Sequence, residues 1–213
     1  MAQSKRRYHH GNLHRALLDA ALRLIRKGGA DALTLRGAAR AAGVSPAAPY
    51  RHFADKDALL AAVAEEGFRM MAAKMRAAAE ARPDDGIGRF RACGMAYIAF
   101  ARAHPEHFRV MFGPYVANRA KYPGLKDAAG ESFALLEERI VDGQKAGIIV
   151  KGDVRSLALA TWSMTHGFAS LLVNRQLEER GAGADPEDLA SRVTATLFLG
   201  IGKKPRRSDG TTA

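Results

Sequence analysis

Cysteine is almost missing from this chain. Cys93 stands alone among 213 residues, so no disulfide can close within it. A lone thiol suits a reducing compartment, where disulfide frameworks are not used. Long apolar runs are missing as well: none reaches the roughly 18 residues that suggest a bilayer span. The polar, basic N-terminal residues lack the apolar segment of a secretory leader, and the expectation is a cytoplasmic protein. Alternation of the strand type does not occur. Nor does a phosphate-cradling glycine loop, a nucleophile elbow or a pair of carboxylates at catalytic spacing. No enzyme is therefore expected, and no cofactor; an activity built on His166 with an acidic partner would need a base, an orienting group and a nucleophile that the sequence does not bring together. His9, His10 and His14, and the pair His104 and His107, have neither cysteines nor carboxylates at ligand spacing, so no metal site is expected.

What is abundant is positive charge, and it is concentrated. The net charge is +11. Residues 1–56 hold eleven Lys and Arg against Asp19, Asp31 and Asp55, while residues 57–202 hold eighteen charges of each sign. The tail 203–213 adds Lys203, Lys204, Arg206 and Arg207 against Asp209. A cationic surface of no consequence would be spread evenly. Concentration in one short segment is the footprint of a polyanion binder.

Apolar residues recur at three- and four-residue spacing throughout, so the chain is read as all-α. A first helix is expected from Asn12, as its cap, to Lys27, burying Leu13, Leu17, Ala20, Leu24 and Ile25 before Gly28-Gly29. A short helix follows from its cap Thr34 to Gly43. A third is expected from its cap Ser45, with Pro46 at the first helical position, carrying Tyr50, Arg51, His52 and Phe53. Asp55 caps a long fourth helix from Lys56 to about Arg82. Five more are expected at 86–103, 105–113, 124–147, 153–180 and 185–202, with 203–213 as a disordered tail.

The segment from Thr34 to Leu60 reads TLRGAARAAGVSPAAPYRHFADKDALL. Two short helices joined by Ala42-Gly43-Val44-Ser45 describe a helix-turn-helix, in which Gly43 makes the turn and Val44 plugs the core beneath it. Ser45, Pro46, Ala47 and Ala48 lead the second helix, and their small size lets its backbone approach base edges in the major groove. Residues 12–60 closely resemble the TetR family of bacterial regulators. The family's pattern stands here as Thr34, Ala42-Gly43-Val44-Ser45, Tyr50, Phe53 and Lys56 through Leu60. The resemblance implies that Thr34 and Lys56 touch phosphates, and that Ser45, Ala47, Ala48, Tyr50 and Arg51 face DNA; Arg36, Pro46 and His52 join them as candidate contacts. Pro49 departs from the pattern, where most relatives carry an aliphatic residue, and it removes an early helical hydrogen bond. The basic arm before the first helix, Lys5, Arg6 and Arg7 within residues 1–11, is a candidate for the minor groove or for plain phosphate attraction.

The domain order expected is an arm at 1–11, the helix-turn-helix domain at 12–56, a ligand-sensing and dimerisation domain at 57–202 reached through the long helix, and the tail. In the second half, Thr161 to Gly167 resembles the Trp-x-x-x-His-Gly signature of a TetR-type sensor, with Trp162 and His166 on one helical face. Both are candidates for a pocket or for ordinary packing. Phe68, Met71, Phe90, Tyr97, Phe100, Phe108, Met111 and Phe112 are soft, adaptable residues that suit a hydrophobic ligand, though the same spacing serves plain core. Family resemblance is what favours the pocket. It also implies a homodimer formed by the last two helices, with Leu171, Leu189, Val193, Leu197 and Ile201 in the interface. A twofold dimer would read a palindromic operator in double-stranded DNA, and a hydrophobic effector would release it.

Overall fold

The computed structural model describes residues 10–82, 86–116, 118–178 and 185–201, all of them helical or connecting, with no strand among them. The α-helices are α1 (His10–Gly28), α2 (Leu35–Ala42), α3 (Lys56–Glu80), α4 (Gly86–Ala103), α5 (Pro105–Phe112), α6 (Pro123–Lys145), α7 (Val154–Val173) and α8 (Pro186–Ile201), with 3₁₀ turns at Ala48–Arg51 and Arg119–Lys121. No helix of the described residues is long and apolar enough to cross a membrane. The described residues form two compact units, one within 1–70 and 104–130, the other within 71–103 and 131–213.

The first unit is built on α1. Leu17, Ala20, Ala21 and Ile25 are buried, at the helical spacing the sequence shows, and meet Leu35, Ala38 and Ala39 of α2. The alanines let the two helices approach closely. α1 is already helical at His10, the first described residue, so the expected cap Asn12 lies inside the helix, and it ends as expected with Gly29 left-handed at φ +75°. The unit takes in more than the helix-turn-helix segment, because α5 and the first part of α3 belong to it. Polar links hold them: Glu66 accepts from Arg15 and from His107 Nε2, the latter at 3.0 Å, and Arg26 donates to buried Glu106 at 2.7 Å. Burial alone would raise the Glu106 carboxyl, but the Arg26 guanidinium, a backbone hydrogen bond and the nearby Arg109 together hold it below the ordinary value.

The second unit closes around Phe90, Leu136, Ile140, Ile149, Ala158 and Leu197, flanked by Phe133, Val150, Leu157, Trp162 and Phe198. Asp153 caps α7, accepting from the Ser156 N–H at 2.7 Å. α7 ends at Val173, well short of the expected residue 180. Asn174 caps it and Arg175 turns left-handed at φ +58°, a stop that carries no glycine to mark it in the sequence.

Candidate nucleic-acid interface

Three local devices shape residues 34–58. The Thr34 hydroxyl accepts from the Gly37 N–H at 2.9 Å, and the extended Thr34 backbone starts α2. A Cβ at position 37 would stand 2.9 Å from that hydroxyl, so glycine there keeps the cap unobstructed. At the other end Gly43 adopts φ +70°, and Val44 donates back to the Ala39 carbonyl at 3.0 Å. The Arg23 guanidinium also bonds the Ala41 carbonyl at 3.0 Å, satisfying an acceptor of the last turn. Finally, Asp55 accepts from the Ala58 N–H at 2.8 Å and begins α3. That bond, ahead of the nearby Lys121, lowers the Asp55 carboxyl.

Between these devices lies the segment expected to be the third α-helix. It is a 3₁₀ turn at Ala48–Arg51, preceded by a turn, and Ser45 does not cap it. The cause is Pro49, which has no N–H to give; Pro46, at the start of the turn, lacks only a donor that would have no partner there. Pro49 cannot make the bond to Ser45 that an α-helix requires, and Ala48 donates to the Ser45 carbonyl in the tighter 3₁₀ pattern instead, at 3.0 Å. The Pro49 ring is fully buried, taking the packing place of an aliphatic side chain, and Phe53 is buried beside the turn. Val44 is half-buried.

The residues expected to meet DNA divide cleanly by exposure. Thr34, Arg36, Ser45, Pro46, Ala47, Tyr50, Arg51 and His52 are exposed, whereas Ala48 and Lys56 are half-buried. Tyr50 is 54% exposed, with its ring and hydroxyl open to a partner surface. Lys56 donates to the Asp31 carbonyl at 3.0 Å, which fixes its ammonium at the start of α3 with donors to spare for a phosphate. Arg40, absent from the sequence expectations, is exposed and joins Thr34, Arg36, Gly37, Val44 and Pro46 around a shallow groove. Its spacing of four from Arg36 on one helix was the available signal. Lys5, Arg6 and Arg7 lie outside the described residues. Small, cationic and aromatic groups on a rigid turn can lie against a phosphate backbone while the turn enters a groove.

The expected sensor residues fall into both units. Phe68, Phe108 and Met111 are buried and Phe112 half-buried in the first, where Phe68 and Phe112 meet edge to face at 5.3 Å. Met71, Phe90, Tyr97 and Phe100 are buried in the second, with Trp162 and His166 half-buried. Here the Tyr97 hydroxyl bonds His166 Nδ1 at 2.8 Å, and His166 Nε2 meets Ser170 Oγ at 3.2 Å. Trp162 lies 5.2 Å from the imidazole and packs on the apolar cluster. Burial raises the Tyr97 phenol and lowers His166. Of the residues expected at a dimer contact, Leu171, Leu189 and Val193 are half-buried, and Leu197 is turned into the unit's own core. The Ile201 side chain lies outside the described residues. Among the described residues, Leu159, Met164 and Leu199 are the large apolar side chains that α7 and α8 leave exposed.

Comparison with known proteins agrees with this geometry. Residues 17–63 match the family model of bacterial regulatory proteins of the tetR family, and residues 90–197 match the tetracyclin repressor-like C-terminal domain. Among solved structures, a protein of unknown function from Rhodococcus sp. RHA1 is 36% identical over 93% of this chain and 100% of its own, at a TM-score of 0.81. A bacterial regulatory protein in the tetR family from Rhodococcus RHA1 is 21% identical, covers 95% of this chain and 100% of its own, and superposes at 0.73. The fatty acid degradation regulator FadR from Bacillus halodurans is 17% identical, covers 91% and 98%, and superposes at 0.74. A search of curated proteins finds no match. With the helix-turn-helix at one end and the matched helical domain at the other, this chain belongs to the tetR family of bacterial regulatory proteins.

Proposed function

We propose that the chain is a repressor that binds a palindromic operator as a homodimer and leaves it when a small hydrophobic effector binds. One observation carries the DNA-binding half: the exposed face of Thr34, Arg36, Arg40, Ser45, Ala47, Tyr50 and Arg51, held by caps at both ends. Lys5, Arg6 and Arg7 add attraction for the adjacent backbone. No catalytic role is assigned to the chain. Exposed Leu159, Met164 and Leu199 on α7 and α8, flanked by half-buried Leu171, Leu189 and Val193, support a dimer through those two helices. Effector binding falls to the second unit, where Met71, Phe90, Tyr97, Phe100, Trp162 and His166 are buried or half-buried. By linkage, an effector that favours the wrong spacing of the two DNA-binding ends weakens operator affinity by the factor with which DNA weakens its own.

The test is binding of an operator duplex by Tyr50→Ala and Lys56→Ala variants. Each should lose most of its affinity while sedimenting as the wild type does. Undiminished affinity in both would remove the assigned face from the reading.

A further inference from the structure

We infer that the second unit holds a seat for an aliphatic carboxylate, in the cavity of about 670 Å³ that α4 lines with the ends of α3 and α7 and the start of α8. The inference rests on the reading of that unit as effector-binding and gives the effector a place and a chemical class.

The cavity exists because facing side chains are too short to fill it. α4 presents Ala92 and Ala96 where α8 presents Ala190 and Ser191. Its volume lies in the range of small-molecule sites, roughly 300–1,000 Å³. Ile87, Met95 and Leu172 give it apolar walls suited to an alkyl chain. The charged lining is lopsided: Arg82, Arg91 and Arg102 against Glu187. Arg82 and Arg102 are exposed, so they attract an anion without holding it closely.

Arg91 is different. It is half-buried, its Nε is buried with no hydrogen-bond partner, and its Nη2 reaches Ser191 Oγ only at 3.5 Å. A buried guanidinium N–H left unsatisfied is costly. A small rotation of the side chain that turns this edge toward the cavity lets a carboxylate accept from Nε and Nη2 together, in the fork geometry that guanidinium prefers. A neutral alcohol of the same length fills the apolar volume but brings no charge to that fork. A cationic amphipath meets net repulsion.

Titration of the full chain with decanoate below its micelle concentration, followed by calorimetry, tests this. Saturable binding is expected. Arg91→Met should weaken it about tenfold or more, the loss of a charge-assisted pair. Ala96→Phe, which narrows the cavity between α4 and α8 and leaves Arg91 in place, should also weaken binding severalfold while the chain still unfolds cooperatively. Decanol should bind about tenfold more weakly than decanoate. Absence of saturable decanoate binding, equal binding of decanol, or affinity unmoved by both substitutions overturns the assignment. A parallel titration of the operator complex separates the two readings. Decanoate that binds without releasing operator leaves the seat standing and contradicts release by effector; firm operator binding with no decanoate uptake contradicts the seat alone.

Discussion

Gly43 is required by one backbone angle. At φ +70° a Cβ is disfavoured, yet no atom lies within 4 Å of where one would sit, so the strain is conformational and not steric. Gly43→Ala should therefore cost about 1–2 kcal/mol, and Gly43→Asn less, read as midpoint shifts in urea unfolding. His166 gives a second residue-scale test. Its burial lowers its pKa from the ordinary 6.5, so the unfolded chain takes up the proton first as pH falls. Stability is full above that value and declines as pH drops below it. His166→Gln should flatten the fall in melting temperature between about pH 7 and pH 5; part of the slope should remain, because partial burial lowers His14 too. A slope unchanged by the substitution would mean that His166 is not the titrating group.

At the scale of elements, what was legible was local. Thr34, Gly43 and Asp55 act where the sequence placed them, since a cap or a left-handed turn is decided by the residue and its nearest neighbours. Thr34→Ala should accordingly cost about 1 kcal/mol of unfolding free energy, and Thr34→Ser should recover most of it. The 3₁₀ form of Ala48–Arg51 was only half legible. Pro49 showed a missing N–H, but its burial, which fixes the turn, depends on packing. The end of α7 at Val173 was marked only by Asn174, because Arg175 is left-handed without being glycine. The pairs Arg26–Glu106 and Glu66–His107 join residues 80 and 41 positions apart, and nothing near either partner announces them. The cavity beside α4 was hidden for the same reason: small residues on α4 and α8 become a void only once those helices face one another.

For the whole molecule, the charge distribution and the exposed apolar residues point to different partners. The first 56 residues carry most of the surplus positive charge, and α7 and α8 carry Leu159, Met164 and Leu199 in the open. Met164→Glu with Leu199→Glu should shift the sedimenting species from dimer toward monomer and weaken operator binding in step, because a single half-site contact is much weaker than two joined ones. Retention of a dimer by the double variant would place the contact elsewhere. Selection of bound sequences from random duplex DNA, at moderate and then at higher salt, tests the central claim most directly. A palindrome whose recovery survives the higher salt is the predicted result. Recovery of no motif, with binding that vanishes as salt rises, would show only counterion-driven attraction and contradict sequence-specific reading by this face.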